Sequence, residues 1–206
     1  SRKVYLINKP NAIQSYIVAG QLLPPTGSDD EILMEYMNYA IGGSFTSRLN
    51  MNLREDKSWS YGVRNRLADA KGQRSILVNA PVQTDKTADS IKEIIKEFGY
   101  YLGDQPIRYD ELEKAKSSKT LRLPGRFETL GSLLGGMTNI VQYDRSLNYL
   151  DELSSLYSEP TLEEVQNTAR KYLKPNQWSW LIVGDLKEIE SEVRALNLGE
   201  VEIISN

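Results

Sequence analysis

Alternation with period two marks both ends of this chain and one hairpin inside it, and helical stripes fill the rest. Val4 and Leu6, then Tyr16 to Val18, lie in two short β-rich stretches split by Lys9, Pro10 and Asn11, the pattern of two strands with a turn between. Pro24, Pro25 and Gly27 close that segment. Ser28 with Glu31 three residues on has the spacing of a capping box, so a helix is expected to carry Ile32, Leu33, Tyr36, Met37, Ala40 and Ile41 on its apolar stripe. Gly42 and Gly43 end it or let another backbone come close.

Phe45, Leu49 and Leu53 recur at four-residue steps, which predicts a second short helix from about Phe45 to Arg54. From Ser58 to Leu67 the period changes to two. Trp59, Tyr61, Val63 and Leu67 fall on one face, and Ser60, Gly62, Arg64 and Arg66 on the other. A turn at Ala70 to Gly72 leads to Ser75 through Val82, where Ile76, Val78, Ala80 and Val82 alternate, so an antiparallel hairpin is expected. Thr84 to Leu102 reads as an amphipathic helix with Ala88, Ile91, Ile94, Ile95 and Phe98 inward. Helices follow over Tyr109–Leu121, Glu128–Tyr143 and Leu147–Tyr157, the first two separated by Pro124 and Gly125. Thr161 and Glu164 repeat the capping box and open a helix to about Leu173, which Pro175 stops. Trp178 to Val183 is a late strand, Glu188 to Leu196 a last helix, and Val201 to Ile204 a final extended stretch.

Strands at both ends around a helix-rich middle argue for an α+β fold with helices packed on one face of a mostly antiparallel sheet. The 206 residues, 40% hydrophobic and 26% charged, can bury roughly 70% of the surface an unfolded chain exposes. Residues 1–206 are expected to form one domain, with no repeat, low-complexity tract or linker. A formal charge of −3 leaves no basic excess for a phosphate-neutralising surface, so nucleic acid is not an expected partner. No run of about 18 apolar residues occurs, which excludes a helical membrane span. The opening SRKVYLINKP has no apolar signal core. It begins at Ser1, which suggests a processed form or a piece of something longer. The absence of cysteine suits a reducing or an oxidising compartment, so bacterial cytoplasm and periplasm both fit.

Chemistry is constrained by what is missing. The chain has no histidine and no cysteine, so it offers neither imidazole nor thiolate to a catalytic zinc. A Ser-His-Asp or Cys-His device is excluded for the same reason. Asp29 with Asp30, and Glu163 with Glu164, stand at helix starts, where negative charge favours the helix dipole. A Ser-Lys device is formally open, but no spacing singles one out. Gly131, Gly135 and Gly136 lie in LGSLLGGM, which follows no strand and lacks the Lys-Ser or Lys-Thr of a phosphate loop. Close helix packing or a kink accounts for them better than a substrate loop does.

Gly42 to Val63, GGSFTSRLNMNLREDKSWSYGV, is the remaining candidate. Arg54 is a fixed cation with a rigid five-donor fork, and Tyr61, seven positions on, is a neutral phenol. Two such donors converging on a peptide carbonyl could hold it and stabilise negative charge forming there. The alternative is structural, with Arg54 capping the helix end and Tyr61 packed in the core.

This segment resembles the matching part of the pitrilysin/insulinase-type metallopeptidases, the inverted-motif zinc peptidases that include the mitochondrial processing peptidases. In that family, α+β domains of about this size occur as homologous halves around a chamber, with the fold named LuxS/mitochondrial-processing-peptidase-like metallohydrolase. One half carries the zinc motif H-x-x-E-H and the other usually lacks it. The zinc-less half has Gly-Gly, Ser-Arg-Leu, Leu-Arg-Glu and then a Tyr opening a strand. Here these fall on Gly42, Gly43, Ser47, Arg48, Leu49, Leu53, Arg54, Glu55 and Tyr61. Lys57, Ser58 and Trp59 stand where many relatives have a small or glycine-containing turn. Gln14, the helix before Gly42, the hairpin and the Trp-rich strand before Gly184 and Asp185 follow the same order.

The resemblance implies a zinc-less, carboxy-side domain, of the kind called the peptidase M16 inactive domain. It implies no cofactor in this chain and zinc in a homologous partner domain or subunit. Arg54 and Tyr61 would reach toward peptide substrate at that zinc and hold its backbone, while the chain alone would be inactive. A scaffold of the same fold, or a module that binds an extended peptide at a sheet edge without cutting it, is the alternative.

Overall fold

A computed structural model describes residues 2–205 of the chain, so Ser1 and Asn206 lie outside the described residues. Six strands form one sheet: β1 (Lys3–Asn8), β2 (Gln14–Leu23), β3 (Arg64–Leu67), β4 (Arg74–Gln83), β5 (Ser179–Gly184) and β6 (Glu200–Ile204). Their spatial order is β3-β4-β2-β5-β1-β6. β2 and β4 pair antiparallel from Gln14 against Gln83 to Leu23 against Arg74. The late strand β5 inserts between the two early ones, antiparallel to β2 and parallel to β1, and β6 adds parallel to β1. The sheet is thus antiparallel on the β3 side and parallel on the β6 side.

Strand alternation decides which face is covered. Leu6, Ile17, Val78, Ala80 and Ile182 are completely buried, whereas Tyr5, Val18, Leu77 and Leu181, one residue away on their strands, are half-buried. The helices lie against the first set, as expected from the sequence. α1 (Glu31–Asn38) continues into a π-helical turn over Tyr39–Gly43, and α2 (Arg48–Asn50) into another over Met51–Asp56. α3 (Thr87–Leu102), α4 (Tyr109–Thr120), α5 (Leu130–Gln142), α6 (Tyr149–Ser158), α7 (Leu162–Tyr172) and α8 (Leu186–Ala195) complete the set. Trp178 is buried edge-on against Phe98, with ring centres 4.6 Å apart, and its indole N–H reaches Gln21 at 2.8 Å. Among the described residues, no helix is long and apolar enough to cross a membrane.

The two expected capping boxes have opposite outcomes. Thr161 and Glu164 form one, each side chain accepting the other's backbone N–H. Ser28 and Glu31 do not. α1 starts two residues too late for Ser28 to cap it, its N-cap being Asp30, the Ser28 hydroxyl has no partner among the described residues, and Glu31 accepts instead from the Gly27 N–H at 3.0 Å. The Glu31 carboxylate is also gripped by both terminal nitrogens of Arg145, at 2.8 Å each, which ties the start of α1 to the segment after α5. That long-range pair overrides the local cap. Ile95 is a second departure, 37% exposed because α3 turns it away from the sheet.

Candidate functional site

The Gly42–Val63 segment contains two groups of residues that serve different ends. Gly42 packs against β3 so tightly that a Cβ there would lie 2.3 Å from the Asn65 Cβ. A Cβ on Gly43 would lie 2.9 Å from the Asn38 amide nitrogen. Gly42→Ala is therefore expected to push β3 off the end of α1 and cost about 1–3 kcal/mol, read from urea unfolding. A loss below a few tenths would mean that β3 yields freely.

Ser47 precedes α2 with extended backbone and is buried, but its hydroxyl makes no cap hydrogen bond. Leu49 and Leu53 are fully buried, whereas Phe45 is 52% exposed, so the helix expected from Phe45 begins only at Arg48. Arg48 is a clamp. Its Nε and Nη2 donate to the two carboxylate oxygens of Glu111 at 2.8 and 2.6 Å. It also donates to the carbonyls of Gln105 and Pro106, and its guanidinium lies over the Tyr101 ring. Burial pushes the Tyr101 phenol far above its usual value, so it remains a neutral donor to the Met37 carbonyl.

Arg54 and Tyr61 belong to the second group. Tyr61 is 86% exposed, so the inward face assigned to it by alternation is corrected. β3 starts only at Arg64, and before it Ser58 adopts φ 56°, the left-handed region that favours glycine. Ser60 then forms a single bridge with Val82, and its hydroxyl bonds to the Pro81 carbonyl and accepts the Gly62 N–H at 3.1 Å. These bonds break the pleat, so Ser60, Val63 and Asn65 turn inward and Tyr61 turns out. Asn50, itself buried, pins the same loop to α2. Its oxygen accepts the Val63 N–H at 3.0 Å, and its amide donates to the Phe45 carbonyl at 2.7 Å. The sequence reading missed Asn50, whose only local signal is a polar side chain among the apolar positions of a helix.

The Arg54 guanidinium stacks 4.6 Å from the Phe45 ring centre, and its Nε lies 3.4 Å from Glu55. At the helix end the Arg54 carbonyl accepts from the Ser58 backbone N–H at 3.2 Å. Arg54 and Tyr61 line one cleft of about 290 Å³ together with Tyr16, Asn50, Arg64 and Asn79. Tyr16, Arg64, Asn79 and Pro81 are on the helix-free face of the sheet, so the cleft opens at the β3 corner of that face. Its chemistry is two guanidinium cations, two phenols and two side-chain amides, a set that donates hydrogen bonds to a carbonyl or carboxylate. Zinc does not fit here, because among the described residues no three His, Cys, Asp or Glu side chains gather to hold a metal ion.

No curated protein sequence matches the chain. Solved structures of similar fold are plentiful. The peptidase M16 inactive domain from Pseudomonas fluorescens superposes with a TM-score of 0.81 at 21% identity, over 89% of this chain and 43% of that one. A protease from Helicobacter pylori gives 0.77 at 16% identity, over 87% of this chain and 43% of that one. The periplasmic protease PqqL from Escherichia coli gives 0.75 at 17% identity, over 88% of this chain and 20% of that one. The chain therefore spans less than half the length of these proteins, and at such identities the likeness shows the fold. The sequence profile described as peptidase M16 inactive domain matches residues 1–119, more than half of the chain, so this chain belongs to the peptidase M16 inactive-domain family.

Proposed function

We propose that this chain is the substrate-holding half of a zinc metallopeptidase, working with a homologous zinc-bearing domain or subunit that performs the hydrolysis. The observation that supports it most directly is the one cleft lined by both Arg54, at the end of its helical turn, and Tyr61, exposed on a loop pinned by Asn50 and Ser60. An exposed tyrosine held by buried bonds is costly to arrange for packing alone, since its ring gains little from burial. Arg54 and Tyr61 would donate to the backbone carbonyl of a bound peptide next to the scissile bond. Their donors are strongest where water is excluded, as it would be once a partner closes over the sheet. The helix-free face, with Tyr5, Val18, Leu77 and Leu181 half-buried, would form the chamber wall.

Strand addition at a sheet edge suits this chain less well. β3 at one edge has four residues, with Arg64 and Arg66 exposed, and β6 at the other carries Glu200 and Glu202. Short, charged edges discourage pairing with another strand. Reconstitution tests the proposal. The chain with added zinc should not hydrolyse peptides, the zinc-bearing domain alone should be weak, and the two together should be fully active. Full activity of the zinc-bearing domain by itself would refute the proposal.

A further inference from the structure

The cleft with Arg54 and Tyr61 does not end at its own walls. Tyr16, Phe45, Arg64 and Asn79 line both it and a larger trench of about 1060 Å³ that runs beside β3 toward the end of α4. That trench shares Lys119 and Arg122 with a further cavity of about 530 Å³, where Arg126 is added. Within the trench, Arg74 is paired with Asp69, and Lys119 with Glu35. Arg64, Arg66, Arg122 and Arg126 are exposed and have no carboxylate within salt-bridge distance among the described residues.

Four unpaired arginines along one path stand out in a chain whose formal charge is −3. Neighbouring like charges repel, and an anionic ligand would relieve that repulsion. Arginine also takes carboxylates through two parallel hydrogen bonds, a geometry lysine lacks. Around the β3 edge, on the covered side of the sheet, the same trench is lined by buried polar groups. Asn65 and Arg74 are 2% and 1% exposed, yet both Asn65 amide atoms and one Arg74 terminal nitrogen have no partner among the described residues. Arg64 and Arg66 alternate on β3, so their Cα atoms are about 7 Å apart, the repeat of same-side residues in an extended peptide.

We propose that this trench selects acidic peptide segments, with Asp or Glu side chains at alternate positions meeting Arg64 and Arg66 and a further acid meeting Arg122. The proposal rests on the substrate-holding reading and names the substrate class for that site. A peptide fits better than a nucleic acid, because a nucleic acid brings a charge at every residue, including past Glu35 and Asp69 in the trench, whereas a peptide can carry its acids only where Arg64, Arg66 and Arg122 stand.

Two measurements decide it. In the complete enzyme, kcat/KM should favour a peptide with Glu at alternate positions over its Lys counterpart by about tenfold, and the ratio should fall toward one in the Arg64→Gln/Arg66→Gln/Arg122→Gln variant. With the chain alone, fluorescence anisotropy should show the Glu peptide binding tighter than the Lys peptide, more weakly with added salt, and more weakly to the triple variant. The three arginines are exposed, so an unchanged melting temperature is expected and serves as the folding control. An unchanged ratio in the triple variant, equal binding of both peptides, or tighter binding of an oligothymidine of equal charge would overturn the proposal. Activity lost on changing Arg54 with no preference for acidic peptide would sink this inference alone. A preference that depends on the three arginines, with Arg54 and Tyr61 variants fully active, would sink the substrate-holding role of that pair instead.

Discussion

Arg54→Ala in the complete enzyme is expected to lower kcat about 100- to 1000-fold, with zinc content at the wild-type level, and Tyr61→Phe to act in the same direction. A group that donates to a carbonyl on which negative charge develops contributes more in the transition state than in the ground state, so the loss falls on kcat rather than KM. The geometry separates this effect from misfolding. Tyr61 is 86% exposed, and Arg54 stacks on a phenylalanine that is itself half out of the core, so neither truncation opens a cavity. Steady-state kinetics, metal analysis and a thermal melt on the same samples make the check. Wild-type turnover in both variants would remove the role assigned to the pair. A fall in zinc content would show that they act through the partner's metal site.

Arg48→Ala is expected to be the most damaging stability change in the same segment, costing about 3–5 kcal/mol. Arg48 and Glu111 are only 10% and 11% exposed, and the guanidinium also satisfies the carbonyls of Gln105 and Pro106. Truncation would strip the half-buried Glu111 of its two-pronged partner, leaving it the Arg108 N–H at 2.9 Å and the Arg108 guanidinium at 3.5 Å, and would take a charged donor from both carbonyls. Replacing both partners with apolar residues, as in Arg48→Met/Glu111→Leu, should recover a substantial part of the loss, because the stranded charge is then gone too. Urea unfolding measures both. A single variant that loses less than about 1 kcal/mol would mean that solvent reaches Glu111 more freely than its burial indicates.

Arg48 and Arg54 show how far the sequence could be read. Both are in one short motif, SRLNMNLRED, and nothing local says that one is a buried clamp and the other a solvent-facing donor. The partner that decides it, Glu111, is 63 residues away in sequence. Tyr61 is the converse case. Period-two alternation is a good guide along a regular strand, as Ile76, Val78, Ala80 and Val82 on β4 confirm. It fails just before β3 because Ser58 takes a left-handed turn and Ser60 spends its side chain on the Pro81 carbonyl. The capping boxes differ for a like reason. Thr161 and Glu164 meet no competing partner, whereas Glu31 is drawn to Arg145.

By itself, the sequence determined the periodicities, hence the α+β class and the covered face of the sheet, and its missing histidines and cysteines leave no imidazole or thiolate to offer a zinc ion. Hydrophobic patterning acts over a few residues, so it is legible along the chain. Only the tertiary structure decided the insertion of β5 between β2 and β1, the outward turn of Tyr61, and the line of Arg64, Arg66 and Arg122 along one trench. Those depend on contacts between residues far apart in the chain, where strand order and side-chain direction are set by which surfaces pack together.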